Sequence, residues 1–177
     1  NVHHEDMSTL LMERLNKEFK GALDMAIQIF KKEYPRNFLC QLVSSQLDID
    51  RMDYLQRDCY FTGVNEGSIG AERIIKMLDV VDNELVVEAK GIYSVENFLN
   101  ARRLMYWQVY LHKTSIAAEQ MLILIFKRAR FLVRNGFDLT VTHELGDFLR
   151  GGVGVEQIST NQELLSSFAK LDDYDVW

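Results

Sequence analysis

The segment from residue 45 to residue 63 combines side-chain types that bind metal ions, sugars and phosphates. It contains four aspartates, two arginines and two tyrosines. If the segment is helical, Asp50, Tyr54 and Asp58 recur every four residues and lie in one line along the helix. At a rise of ~1.5 Å per residue this line is about 12 Å long, the scale of a sugar with its phosphates. We interpret it as a candidate ligand-binding face.

The chemistry of this face follows from the position of each side chain. Asp50 falls in the first helical turn, where the helix dipole favours a carboxylate, and a carboxylate is a hard ligand for a divalent cation. Arg51 is adjacent and suits a phosphate. The alternative is a solvated charged face in which Asp50 or Asp53 pairs with Arg57 at small energetic value. The spacing alone leaves both interpretations open.

A second candidate lies near the start of the chain, in the run His3-His4-Glu5. A histidine beside a carboxylate can act as a general acid or base whose orientation its neighbour fixes. The alternative is a pair of exposed terminal histidines without chemistry.

A third candidate lies on a long predicted helix. Positions 103, 106, 110 and 113 share one face of that helix and present cation, aromatic, aromatic and cation, which suits a sugar with an anion. The alternative is an amphipathic surface helix with snorkelling basic side chains. Trp107 and Leu111 are predicted to lie in the core. The group consists of Arg102, Arg103, Tyr106, Tyr110 and Lys113.

Helices must position these groups, because the chain has one proline and apolar residues recur at helical spacing. The key helix is predicted over about 48–61, with Asp48 as a cap and Gly63 as its stop. A hairpin is predicted over 79–88 around Asp82-Asn83. The long helix spans 95–133, with a break at 114–115. The fold class is therefore all-α with one small β hairpin.

Other predicted helices start at Ser8, which offers a cap, and cover about 71–78, 142–149 and 161–170. We expect one domain over 1–177. Residues 1–134 would form the helical region that includes the hairpin, and 135–177 a C-terminal extension cut short at Trp177.

Composition restricts the function classes. A formal net charge of −6 argues against a protein that coats nucleic acid, but leaves room for a local basic pocket for a small anion. The run Gly151-Gly152-Val153-Gly154 is too weak a signal to indicate a phosphate loop. Two cysteines without CxxC spacing favour a reduced, cytoplasmic setting. No apolar run reaches the length of a membrane span.

The stretch from Gln46 to Asp58 resembles the last catalytic motif of HD-domain phosphohydrolases, and more narrowly of the deoxynucleoside triphosphate triphosphohydrolase branch. The motif reads Asp, any residue, Asp, Lys or Arg, any residue, Asp, Tyr, and then Arg-Asp, and every one of these positions matches. The segment starting at His4-Glu5 is similar to an upstream part of the family. Tyr110 and Lys113 are similar to its downstream helix.

The resemblance implies a role for each matching residue. Asp50 would be a metal ligand, and Arg51 and Arg102 would contact phosphate. Tyr54, Asp58 and Tyr110 would line the sugar pocket, with Asp58 near the 3′-hydroxyl. The catalytic pair would be His4, oriented by Glu5, which moves a proton at the leaving group.

The implied activity is metal-dependent hydrolysis of a nucleotide, with a (deoxy)nucleoside triphosphate giving nucleoside and triphosphate. The cofactor would be a divalent ion such as Mg, Mn, Fe or Zn, and the protein would form a homo-oligomer. The family's upstream histidine and His-Asp dyad are not in this sequence. We therefore expect a fragment of a longer protein that is inactive alone. The alternatives are a hydrolase of another phosphate ester and a non-catalytic nucleotide-binding or assembly module.

Overall fold

The computed structural model describes residues 3–176, so Asn1, Val2 and Trp177 lie outside the described residues. Helices dominate, and one antiparallel hairpin interrupts them, which confirms the predicted fold class. The elements in order are α1 (His4–Glu18), α2 (Asp24–Phe30), α3 (Asn37–Val43), α4 (Ile49–Thr62), α5 (Ala71–Met77), β1 (Leu78–Val81), β2 (Glu84–Val87), α6 (Ile92–Met105), α7 (Lys113–Arg134), α8 (His143–Leu149), α9 (Val155–Thr160) and α10 (Gln162–Lys170). A π-helical turn, Tyr106–Tyr110, follows α6.

Helix α4 begins and ends where its local sequence predicts. The Asp48 carboxylate caps it by accepting a hydrogen bond from the Arg51 amide. Gly63 ends it in the left-handed conformation, at φ 71°, which glycine adopts without a Cβ clash. Met52 and Leu55 face inward and are buried. The helix therefore has a fixed register, with Tyr54 and Asp58 half-buried and Asp50 exposed.

The hairpin confirms its predicted turn. Asp82 and Asn83 both have positive φ, 50° and 67°, as a two-residue turn of type I′ requires. Leu78 pairs with Val87 and Val81 with Glu84. The side-chain amide of Asn37 on α3 donates to Glu84 at 2.9 Å. The hairpin is thereby tied to the helix that precedes α4.

The chain divides into two compact units. One comprises residues 25–117, and its core surrounds Phe98, Leu55, Ile74 and Met105, all fully buried. The other combines the described residues up to 24 with those from 118 onward, around Met7, Ile158 and Leu165. The predicted single domain and its internal division at residue 134 stay predictions.

Several local predictions are wrong. Helix α1 begins at His4, so Ser8 lies inside it and does not cap it. The long helix starts earlier, at Ile92, and breaks at Leu111–His112 instead of 114–115. Helix α9 was not predicted. Asp172 caps a single 3₁₀ turn, Asp173–Asp175.

The core prediction for Trp107 and Leu111 is also wrong, because they are 63% and 56% exposed. The π-helical turn is the reason. It inserts extra backbone into one turn, so residues beyond Met105 no longer follow the α-helical face that Ala101 and Met105 bury. Within residues 3–176, no helix is long and apolar enough to cross a membrane.

Candidate functional site

The N-terminal end of α4 is held by a buried carboxylate. Asp48 is 3% exposed and accepts hydrogen bonds from the backbone amides of Ser45 and Arg51, at 3.2 and 2.8 Å. Its second oxygen also pairs with Nη1 of Arg51, which in addition donates to the Ser45 carbonyl. A buried carboxylate needs such partners to offset its desolvation. Arg51 is therefore oriented from within the chain, and its Nε and Nη2 bond to nothing else among residues 3–176.

Asp50, the predicted metal ligand, is exposed and makes no hydrogen bond or ion pair with the described residues. Those residues contain no group of three or more His, Cys, Asp or Glu side chains that could hold a metal ion. One carboxylate does not make a catalytic metal site, which needs several protein ligands. The described residues therefore do not by themselves fit a divalent metal, and the role of Asp50 stays a prediction.

The structure brings the predicted sugar-pocket residues together on α4 and the π-helical turn. The Tyr110 hydroxyl donates to Oδ2 of Asp58 at 2.6 Å, between residues 52 positions apart. The Tyr54 ring meets the Tyr110 ring edge-on, with centroids 6.1 Å apart. Oδ1 of Asp58 accepts no hydrogen bond from the described residues. This carboxylate thus has one oxygen fixed and one open for a ligand hydroxyl.

Tyr106 extends this group along the π-helical turn. Its ring meets the Tyr110 ring edge-on at 5.2 Å, and the Arg102 guanidinium lies 5.9 Å from its centroid. Nη1 of Arg102 donates to the Gln46 side chain at 2.9 Å. We call Tyr54, Asp58, Tyr106 and Tyr110 the tyrosine cluster. Arg102 is its cationic edge.

The predicted row through positions 103, 106, 110 and 113 is wrong in two members. Arg103 lies over the exposed Trp107 ring, 5.5 Å from its centroid, and not beside Tyr106. Lys113 starts a new helix after the break. The row that forms is Arg102, Tyr106 and Tyr110.

Two hydroxyls of the cluster, those of Tyr110 and Tyr54, have a raised pKa and stay protonated well above neutral pH. Burial, followed by the hydrogen bond to Asp58 and its charge, raises the pKa of Tyr110 above its ordinary value of 10.0. Burial is the main cause that raises the pKa of Tyr54, and the electrostatic effect of Tyr106 is the second. The guanidinium groups of Arg102 and Arg51 oppose the shift. Both phenols are thus neutral hydrogen-bond donors under physiological conditions.

The predicted catalytic pair belongs to the other unit. His4 Nδ1 lies 3.4 Å from Glu5 Oε2, and the side chains are 90% and 61% exposed. The contact fits an oriented histidine, but the proton-transfer role stays a prediction. The surface interpretation holds for Arg57, which pairs with Asp53 at 2.7 Å in an exposed i,i+4 pair.

Sequence reasoning missed two supporting contacts. Asp48 was predicted only as a cap, not as the partner of Arg51. Tyr106 was predicted, as part of the aromatic row on the long helix, and it does lie beside Tyr110. Gln46 carried no signal, since its contact with Arg102 spans 56 positions.

Comparisons with known proteins agree with this architecture. The HD associated region matches residues 69–136. A crystal structure of a phosphohydrolase from Bacteroides thetaiotaomicron is 58% identical and superposes with a TM-score of 0.95, covering 100% of this chain and 44% of that protein. The chain is related to the HD superfamily.

Two curated relatives extend the comparison. Uncharacterized protein YwfO from Bacillus subtilis is 35% identical over 147 residues, which are 79% of this chain and 34% of YwfO. Deoxynucleoside triphosphate triphosphohydrolase SAMHD1 from Homo sapiens is 30% identical over 101 residues, 53% of this chain and 16% of that protein. The chain thus spans about a third of YwfO and less than half of the Bacteroides phosphohydrolase.

Proposed function

We propose that the protein is a phosphohydrolase that acts on a nucleotide and that the tyrosine cluster binds the sugar. The hydrogen bond between Tyr110 and Asp58 is the observation that carries the proposal, because it fixes a carboxylate and leaves its other oxygen free to accept from a sugar hydroxyl. The rings of Tyr54 and Tyr110 supply apolar surface beside that oxygen. The names of two relatives, a phosphohydrolase and a deoxynucleoside triphosphate triphosphohydrolase, support the class.

Two arginines flank the cluster and suit the phosphates of the same ligand. Arg102 is held by Gln46 and lies over the Tyr106 ring. Arg51 is anchored through Nη1 and keeps its other nitrogens for an anion. A guanidinium can give two parallel hydrogen bonds to phosphate oxygens. The cluster and its cations therefore fit a phosphorylated sugar.

The finer proposal is hydrolysis of a (deoxy)nucleoside triphosphate to nucleoside and triphosphate. His4, oriented by Glu5, would hold or move the proton at the leaving oxygen. Asp50 would contribute to a divalent metal site only together with ligands other than the described residues. For that reason we assign no step of the reaction to a metal.

Nucleotide binding tests the sugar site directly. We expect Tyr110→Phe and Asp58→Asn to weaken binding of a deoxynucleoside triphosphate about tenfold each, since each loses one well-placed hydrogen bond. Tyr60→Phe is the matched control, because Tyr60 is on α4 but 81% exposed, and it should bind like the parent protein. Equal affinity in all four proteins would contradict the assignment.

A second candidate is a non-catalytic nucleotide-binding module. It would use the same tyrosine cluster and its two arginines, because these contacts among residues 3–176 need no metal. The full-length protein should be incubated with common nucleotides and Mg, Mn, Fe or Zn while released triphosphate and bound metal are measured. Turnover supports the enzyme, provided that Asp50→Ala lowers the metal content and Tyr110→Phe leaves the metal content unchanged. Binding without turnover or metal supports the module.

We also expect a homo-oligomer. Helix α7 has 22 residues, and none of them is buried. Met121, Leu124 and Ile125 are among its exposed apolar side chains, and such surface is commonly covered in an assembly. Sedimentation analysis would detect a dimer or larger species, and a monomer at all concentrations would refute the expectation.

A further inference from the structure

The second half of α7 carries a stripe of cations that has no counterion among the residues that the structure describes. Residues 127–134 include four basic side chains and no acidic one. Lys127, Arg130 and Arg134, which we call the basic stripe, follow i, i+3, i+7 spacing and so share one face. Within residues 3–176 none of the three forms an ion pair or hydrogen bond. Like charges three and four residues apart repel.

The basic stripe borders a cavity and a glycine turn of the same unit. The cavity has a volume of about 280 Å³ and is lined by Lys127, Arg130, Phe131, Arg134 and Asn135. Beside it, the Cα of Gly151 approaches the guanidinium groups so closely that an added Cβ would lie 3.3 Å from Arg134 Nη2 and 3.6 Å from Arg130 Nη2. A side chain at that position would therefore crowd Arg134 and touch Arg130.

The backbone of this turn has the geometry of an anion-binding concavity. Arg150 is right-handed helical, and Gly151 and Gly152 follow with φ of 90° and 84°. The step from right-handed Arg150 to Gly151 at positive φ is the change of handedness that points successive N–H groups inward, in the arrangement known as a nest. The amides of Gly151 and Gly152 donate to no acceptor among the described residues.

We infer that the basic stripe and the glycine turn form a binding site for a small polyphosphate anion, separate from the tyrosine cluster. Two guanidinium groups, an ammonium and free backbone amides are donors suited to several phosphate oxygens at once. The chain is acidic overall, at a net charge of −6, so this attraction is local. The inference does not rest on the proposed function, because no residue of the tyrosine cluster takes part.

Inorganic triphosphate is the probe, added without metal to ¹⁵N-labelled protein. The amide resonances of Gly151 and Gly152 should shift saturably. The double variant Arg130→Gln/Arg134→Gln should raise the dissociation constant at these amides by about tenfold or more, since charged hydrogen bonds are lost. Circular dichroism establishes that the variant is folded. Arg128→Gln is the control, because it removes the same charge from a side chain that instead lies over Phe131.

A second double variant distinguishes triphosphate binding at the basic stripe from triphosphate binding at the tyrosine cluster. In Arg51→Gln/Arg102→Gln the shifts of Gly151 and Gly152 should persist with their affinity unchanged. Unaltered binding in Arg130→Gln/Arg134→Gln would overturn the inference, and so would an equal loss in Arg128→Gln. Tighter binding of an oligonucleotide than of triphosphate at equal salt would also overturn it, because the stripe would then be a nucleic-acid surface.

Discussion

The tyrosine cluster and the basic stripe both contain side chains four residues apart on a helical segment, but they differ in the partners of those side chains. In the cluster, Tyr110 bonds Asp58 and Arg102 bonds Gln46, so charges and hydroxyls meet groups from other elements. In the stripe, Arg130 and Arg134 have no such partner among residues 3–176. The first site is fixed in advance, whereas the second is complete only when an anion supplies the missing charge.

Packing explains the difference. Helix α6 buries Phe98, Ala101 and Met105 in a core that it shares with Met52 and Leu55 of α4, which brings the side chains of the two segments within hydrogen-bonding distance. Helix α7 buries none of its residues. A ligand site that relies on preorganised geometry needs the first arrangement, and an electrostatic site tolerates the second.

The largest expected effect comes from the anchor of α4. Asp48→Ala removes the cap and leaves Arg51 without its buried counterion, so the free energy of unfolding should fall by about 2–4 kcal/mol. Urea denaturation followed by circular dichroism measures it. Asp53→Ala is the matched control on the same helix; its pair with Arg57 is exposed, and the change should stay within about 0.5 kcal/mol. Equal losses would mean that the buried pair does not anchor the helix.

Within the cluster, Tyr110→Phe should lower the free energy of unfolding by about 1–2 kcal/mol, because the half-buried Asp58 carboxylate loses its donor while the ring contacts remain. Tyr106→Phe is the control: its hydroxyl makes no hydrogen bond among the described residues, and stability should change by less than about 0.5 kcal/mol. The same urea experiment compares them. An equal or larger loss in Tyr106→Phe, which also keeps its ring, would show that the hydrogen bond to Asp58 does not make the main contribution.

Alkaline pH should weaken the cluster. The folded state raises the pKa of Tyr110 and Tyr54, so it holds their protons more tightly than the unfolded chain does. The resulting stability is fully present below pH 10 and is lost as pH rises above the ordinary pKa of 10.0. Absorbance of tyrosinate should show a delayed ionisation step that belongs to Tyr110 and Tyr54.

Asp58→Asn sharpens this titration, because it removes the negative charge that adds to burial and to the hydrogen bond in raising the pKa of Tyr110. The delayed step should then move to lower pH, whereas Asp53→Asn should leave it in place. A single transition near pH 10 in the parent protein would show that the cluster is open to water.

Local physics made much of the fold predictable. The bounds of α4 follow from Asp48 and Gly63, and the hairpin follows from Asp82-Asn83, because each signal acts within a few residues. The π-helical turn was not predictable, since nothing in its sequence distinguishes it from the surrounding helix. The exposure of Trp107 followed from that turn and was missed for the same reason.

The candidate site was also predictable only in part. Tyr54, Asp58 and Tyr110 were predicted together from a family resemblance, and they do meet. The link from Gln46 to Arg102 and the approach of Gly151 to Arg134 depend on how distant segments pack. Periodicity within one helix contains no information about such contacts.

The smallest expected effect concerns the basic stripe without ligand. Arg130 has a cation three residues before it and another four residues after it, Lys127 and Arg134, so Arg130→Gln should raise the free energy of unfolding by about 0.2–0.5 kcal/mol at low salt. The gain should vanish in molar salt, which screens charges beyond ~3 Å. Saturating triphosphate should reverse the order, because it stabilises only the protein that binds it. Thermal unfolding of the parent protein and the variant at low salt, in molar salt and with saturating triphosphate measures the stability difference under each condition. A variant less stable than the parent at low salt without ligand would show that Arg130 already has a favourable partner.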